Sequence, residues 1–381
     1  MSDTTQAARY QGKGHRQAQE AWRNFPEVYK EAIQDPAGYL ASPDLAAAVD
    51  VAATLGMPLL LTGEPGSGKS RLADSVAWEM GMGEPLRFVV KSDTQAQELF
   101  YRYDLVGRYN ASRDRNTDER QLASRFLYLG ALGKALLYAR GGDLAREVLG
   151  LDETQIEEQL PDYAGSPRRS VVLIDEIDKA PRDVPNDLLA EIEEGGFHIP
   201  ELEVARQREV RIALPKSGAA NGEVRLEPLV IITSNSERAL PEAFLRRCIY
   251  FHVPFPPFDD DAKDGEAKPA DRPVTVERIV ERRFYDRYRE EHRYQGRHDG
   301  LVHDAISLFK FIRRDSRPDR APSLAELLNW LDYLLRQVTT PGRGLRELAP
   351  VLLSLSVRCL LLKQKDDQEQ ADRMIADWQR Q

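Results

Sequence analysis

Two cysteines in 381 residues, Cys248 and Cys359, are too few and too far apart for a disulfide framework or a cysteine metal site. The sequence therefore predicts reduced, mostly buried thiols and no redox chemistry. No apolar run approaches the roughly 18 residues that a membrane-crossing helix needs, and the opening MSDTTQAARYQGKGHRQ has no signal-peptide core. The expectation is a cytoplasmic protein without membrane insertion. Positive charge is also scarce: 53 Lys and Arg against 62 Asp and Glu give a net charge of -9, which argues against nucleic-acid binding by the whole surface. With 41% hydrophobic and 30% charged residues the chain is globular and long enough for one large or two ordinary domains.

The most informative stretch is GEPGSGKS, from Gly63 to Ser70. The apolar run Met57 to Leu61 ahead of it reads as a buried parallel strand, and Arg71 to Met80, apolar at Leu72, Val76 and Met80, reads as a helix. Strand, glycine spacing, Lys and Ser together make a phosphate cradle. Gly63, Gly66 and Gly68 allow turns that a side chain would forbid, so that backbone N–H groups converge on an anion at a helix start. Lys69 is placed to reach the β- and γ-phosphates and Ser70 to offer a hydroxyl to Mg²⁺. Glu64, Pro65 and Ser67 within the loop, and Arg71 after it, complete the expected cofactor-binding set.

Apolar strands then alternate with helical stretches, the signature of a parallel α/β sheet sandwiched by helices. The expected strands are Leu86 to Lys91, Val171 to Asp175, Leu229 to Ser234 and a short one at Ile249 to Val253. Two stretches are too long for connecting loops: about 101–170, expected to carry helices, and 197–228, read as a β-hairpin from the alternation of Val210, Ile212 and Leu214 with a KSGAANG tip. Residues 1–40 read as an N-terminal helical extension with an aromatic cluster of Trp22, Phe25 and Tyr29, and 41–256 as the nucleotide-binding core. PFPPFDDDAKDGEAKPADRP, rich in Pro and Asp, places a mobile linker at 257–273. From 274 to 381 the periodicity is helical, with a capping box at Ser323 and Glu326 and Pro350 in a first turn. The arginine-rich helix of that domain interleaves Glu277, Glu281, Asp286, Glu290 and Glu291 with its arginines, so a solvated, ion-paired face is expected.

Hydrolysis of a triphosphate needs a held metal, an oriented water and positive charge near the transition state. In VVLIDEID, Asp175 ends an apolar strand where it can help hold Mg²⁺, and Glu176 follows it, the candidate for orienting and polarising the water. LVIITSN delivers Asn235 to the same sheet edge, where its amide can bond both water and γ-phosphate. LPEAFLRRC offers Arg246 and Arg247, too late in the core to fold back onto their own phosphates but able to serve a neighbouring subunit.

GEPGSGKS, VVLIDEIDKAPRDVPNDLLAEIEEG, IITSN and LPEAFLRRC together resemble the AAA+ ATPases, of the MoxR-type or dynein-related AAA branch, over about Leu45 to Val253 and more loosely through the helical domain. The resemblance implies a P-loop NTPase fold with ATP and Mg²⁺ as cofactors and a helical lid. It makes Asp175 and Glu176 the Walker B pair, Asn235 sensor 1 and Arg247 the arginine finger, with Arg246 where the family more often has an acidic residue. It also likens Phe126 to Leu137 to a helix-2 insert and the hairpin after Phe197 to a pre-sensor-1 hairpin. One position departs: where the family's second sensor is an arginine early in a lid helix, this chain reads APSLAEL with Ala325, and Arg320 just upstream is the candidate substitute. The implied protein is a homo-oligomeric ring, a hexamer by analogy, that acts on a client or adaptor containing a von Willebrand factor A domain, with nucleic acid not expected. Two other readings stay open: a GTP-driven McrB-like subunit of a DNA restriction complex, disfavoured by the lack of an NKxD base-reading motif, and a nucleotide-binding switch or scaffold with little turnover. A small-molecule P-loop kinase fits less well, since nothing resembles an acceptor site.

Overall fold

The computed structural model describes residues 35–111, 119–161, 163, 166–215, 225–261, 273–289, 299–337 and 344–381. Most of the N-terminal extension (1–34), the KSGAANG tip and residues 262–272 of the linker lie outside the described residues. Ser42 accepts the Leu45 N–H at 3.2 Å and Pro43 takes the first helical position, which fixes the start of α1 (Pro43–Leu55). The chain then enters β1 (Leu59–Thr62), turns through the phosphate loop and continues as α2 (Lys69–Glu79).

β1 lies in a five-stranded parallel sheet ordered β2-β5-β8-β1-β9, built with β2 (Leu86–Val89), β5 (Val171–Asp175), β8 (Leu229–Ser234) and β9 (Ile249–His252). Its central strands are apolar on both faces because both faces are covered. Leu60, Val172, Ile174, Val230 and Ile232 point into one core, while Leu59, Leu61, Val171, Leu173 and Ile231, offset by one residue, point into the other. The strand order reverses between β8 and β1, and at such a switch point ligands bind beyond the carboxyl ends of the strands.

The first long insertion carries helices, as expected, and adds a short ribbon; the second differs in form from the expected hairpin. β3 (Tyr101–Tyr103) and β4 (Leu127–Leu129) form an antiparallel ribbon, but α3 (Ala131–Arg140) is buried along most of its length and belongs to the core. The segment Phe126 to Leu137 is thus divided between insert and core, because ALGKALLYA is apolar nearly all round. After α4 (Val184–Glu194), β7 (Arg211–Ala213) pairs backwards with β6 (Gly196–His198) around the intervening α5 (Pro200–Arg206). Among the described residues the alternation of Val210, Ile212 and Leu214 thus builds one side of a helix-containing β-ribbon, while the expected KSGAANG tip lies outside them. The two insertions are joined: Tyr101 donates to Glu201 at 3.1 Å, and Arg206 donates to the Leu149 carbonyl at 2.7 Å and the Ser124 hydroxyl at 2.8 Å.

A short helix α6 (Glu242–Leu245) precedes β9, and beyond it the chain builds a separate helical core. Its helices are α7 (Val276–Arg289), α8 (Gly300–Arg314), α9 (Leu324–Gln337), α10 (Pro350–Leu360) and α11 (Ala371–Gln379), with a short turn at Lys365–Glu369. Asp299 caps α8, and Ser323 and Glu326 form the expected box at the start of α9, with Ser323 N donating to Glu326 Oε2 at 2.6 Å. Trp330 is fully buried and its ring N–H reaches Ser356 Oγ at 3.0 Å, which satisfies the polar atom that its burial strands. The polar C-terminal stretch also contributes, since Met374, Ile375 and Trp378 on α11 join this core.

Two expectations are corrected here. The linker is anchored at its start, where Phe258 is 1% exposed and packs with Phe255 and Phe309. The arginine-rich helix α7 is not a purely solvated face: Arg282 and Arg283 donate to the carbonyls of Ala37 and Asp35. Of the two thiols Cys248 is buried and Cys359 exposed, so only one matches the expectation of burial. No helix among the described residues is long and apolar enough to cross a membrane.

Candidate functional site

A cleft of about 870 Å³ opens where β1, β5 and β8 end, between the sheet, the segment before α1 and the helical lid. Of the residues singled out in the sequence, Pro65, Gly66, Ser67, Gly68, Lys69, Ser70, Arg71, Asp175, Glu176 and Asn235 all line it. Segments more than 100 residues apart converge because parallel strands in one sheet end on one edge.

The phosphate loop depends on its glycines. Gly66 and Gly68 hold φ of 77° and 91°, which side chains with a Cβ rarely adopt, and a Cβ on Gly66 would sit 2.7 Å from Ser323 Oγ of the lid. Lys69, 5% exposed, lies across the loop and donates to the carbonyls of Gly63 and Glu64, each at 2.9 Å. Burial holds its ammonium below the ordinary lysine range, opposed by the carboxylates of Asp175, Asp178, Glu176 and Glu64.

At the end of β5, Asp175 accepts from Ser70 Oγ at 2.7 Å and from Thr233 Oγ1 on β8. Thr233 Oγ1 in turn accepts the Glu176 N–H at 3.0 Å. That bond helps hold Glu176 at φ 62°, a left-handed conformation uncommon outside glycine and found at functional sites. The Glu176 carboxylate accepts from Lys179 Nζ at 2.6 Å. Asp178, 4% exposed, accepts the N–H groups of Asn235 at 3.3 Å and Glu237 at 3.1 Å, and so ties the end of β8 to that of β5.

Three other candidates lie elsewhere. Arg246 and Arg247 line a second cavity of about 400 Å³, where Arg247 Nε is 3.6 Å from Glu193 Oε1. Arg320 does not line this cleft; its guanidinium is exposed, 3.7 Å from Glu326. The lid reaches the phosphate loop by other groups, since Ala325 N donates to the Gly66 carbonyl at 3.2 Å and Arg313 donates to Glu64 Oε2 at 2.6 Å.

Thr233, Asp178, Tyr39, Arg283 and Asn329 were not singled out in the sequence. Thr233 carried a signal, a hydroxyl inside the apolar strand LVIITS, and Asp178 stood in the same DEID as Asp175 and Glu176. Tyr39, Arg283 and Asn329 line the cleft from three segments whose meeting no local pattern announces. Burial raises the Tyr39 phenol well above its ordinary range, and its ring lies 3.4 Å from where a Gly68 Cβ would be.

The oxygen donors suit a hard divalent cation: the Ser70 hydroxyl and Asp175 carboxylate lie side by side on the wall of the cleft, hydrogen-bonded at 2.7 Å. Among the described residues no group of three or more His, Cys, Asp and Glu is placed to hold a metal, so a cation here would share its shell with phosphate and water.

Residues 58–248 match the family model of the AAA domain, dynein-related subfamily. No curated protein matches the chain by sequence. Among solved structures it is similar to NtrX from Brucella abortus in complex with ADP, at 15% identity and a TM-score of 0.41, over 90% of this chain and 61% of that one. NtrX from the same organism in complex with ATP gives 14% identity, a TM-score of 0.41, and coverage of 91% and 64%. The chain thus spans less than two thirds of the length of these structures. The fold is that of an AAA+ P-loop NTPase, and since the family model runs from the residue before β1 to the residue before β9, half of the 381 residues, the chain belongs to the dynein-related subfamily of AAA-domain proteins.

Proposed function

We propose that this protein is an ATPase of MoxR type, which hydrolyses ATP at the interfaces of a homo-oligomeric ring and uses the energy to remodel or activate a partner protein. The observation that carries the reading is the meeting of Lys69, Ser70, Asp175, Glu176 and Asn235 on one cleft. Mg²⁺ held by Ser70 and Asp175 would neutralise charge on the β- and γ-phosphates. Lys69 exchanges its two carbonyls for phosphate oxygens, and Glu176 leaves Lys179 to orient the attacking water and accept its proton. Asn235 bonds the water and the γ-phosphate, while Thr233 and Asp178 keep the strand ends in register. Arg247, outside its own cleft, serves the adjoining subunit.

Closure of the lid on the core would move the two joined insertions as one layer against the partner. An adaptor or client with a von Willebrand factor A domain is the partner class that the MoxR reading suggests, and a hexamer the assembly. The test is ATP turnover against protein concentration, with Glu176→Gln alongside. Turnover per subunit should rise with concentration, and Glu176→Gln should bind ATP while losing about 10²–10⁴-fold in rate. Undiminished turnover in that variant removes Glu176 from its role, and concentration-independent turnover removes the shared site.

A further inference from the structure

Arg313, in the last turn of α8, touches three parts of the molecule at once. Nη2 donates to Glu64 Oε2 in the phosphate loop at 2.6 Å, and Nη1 donates to the Pro322 carbonyl at 2.7 Å. The guanidinium also lies 3.7 Å from the centre of the Phe255 ring, in the segment leading out of β9. Its side chain is 12% exposed, whereas Lys310 and Arg314 on the same helix form outer pairs with Asp260 and Asp261. Pro322 directly precedes Ser323, the cap of α9, and two residues further Ala325 N–H bonds Gly66 of the phosphate loop at 3.2 Å.

Glu64 is held from two sides. Its carboxylate is bound by Arg313, and its main-chain carbonyl accepts from Lys69 Nζ at 2.9 Å. Lys69 is the residue that a phosphate in the cradle must draw away, since its ammonium cannot serve phosphate oxygens and two carbonyls equally well. A change at Lys69 is thereby a change at Glu64, and Glu64 is fastened to the lid.

We propose that Glu64 and Arg313 form a relay that reports occupancy of the phosphate loop to the helical lid, with Arg313 as its positioning residue. This route needs no lid arginine on the phosphates, which fits Ala325 at the start of α9 and Arg320 away from the cleft. Phosphate in the loop releases the Glu64 carbonyl from Lys69, the loop shifts, and the Arg313 fork passes the shift to Pro322 and the cap of α9. The geometry suits transmission because the fork is bound at both nitrogens and backed by an aromatic face, so the guanidinium cannot move without its neighbours.

The relay rests on the reading of the loop as a nucleotide site, and its test keeps the two apart. A fluorescent ADP analogue is titrated into the full chain, and amide hydrogen exchange of Leu324–Gln337 is followed with and without ADP. The variants are Arg313→Ala, Glu64→Gln and the pair together. Wild-type protein should bind ADP and gain protection in α9. At saturating ADP each single variant should lose the ADP-dependent protection, its ATP turnover should be about tenfold slower, and the double variant should be no worse than either single. Glu64 is half-exposed, so Glu64→Gln stands as a test even where Arg313→Ala lowers stability. Protection that persists in Glu64→Gln, or single effects that multiply in the double variant, overturns the relay alone; absence of ADP binding by wild type overturns the nucleotide reading and the relay with it.

Discussion

Ser70 Oγ donates to Asp175 Oδ1 at 2.7 Å across 105 residues of chain, and this bond joins the phosphate loop to the end of β5. Asp175→Asn keeps an acceptor for Ser70 and Thr233 while removing the charge. ADP binding without metal should be unchanged, the gain in affinity on adding Mg²⁺ should vanish, and turnover should fall about 10²–10³-fold. Titrations with and without EDTA check this, and an intact magnesium effect in the variant would rule out Asp175 as a metal-holding group.

Arg247 pairs with Glu193 outside its own cleft. Arg247→Ala should cut turnover about 10³–10⁵-fold with nucleotide affinity nearly unchanged. Mixing it with Lys69→Ala should restore activity, because a lysine-deficient subunit still offers its arginine to a neighbour's complete cradle. No recovery in the mixture counts against sharing.

Lys69 gives a pH signature. Its folded pKa lies below the ordinary value of 10.5, burial being the largest cause, and phosphate binding needs the charged form. Affinity for ADP should be level at neutral pH and fall by up to about tenfold per pH unit once pH passes the lowered value, starting below 10.5. Stability runs with the opposite sign: the buried charge disfavours folding while protonated, so this contribution improves as pH rises from the lowered folded value towards the unfolded value. An affinity that stays flat to pH 10.5 contradicts the buried-lysine geometry.

The thiols should separate by rate. Burial, with a smaller contribution from Glu193, pushes the Cys248 thiol up to about 12, leaving about one thiolate in 10⁴ at pH 8. Cys359 is exposed on α10. Native protein at pH 8 should therefore label rapidly at one thiol and at both in denaturant, with Cys359→Ser abolishing the rapid phase; two fast thiols would mean that β9 is open.

The sequence alone carried what depends on local periodicity and spacing. GEPGSGKS between an apolar run and an amphipathic stretch declares a phosphate loop, VVLID and LVIITS are buried on both faces and so declare parallel strands, and Ser323 with Glu326 declares a helix start. Each of these is set by neighbours within a turn or two, so no knowledge of the rest of the chain is needed. What the tertiary structure alone decided is which distant groups meet: Arg313 on Glu64, Tyr39, Arg283 and Asn329 around one cleft, Arg206 clamping one insertion to the other, and β7 pairing backwards with β6 across a helix. Those contacts join residues tens to hundreds of positions apart and are fixed by burial and hydrogen-bond satisfaction over the whole molecule, which no local pattern of residues records.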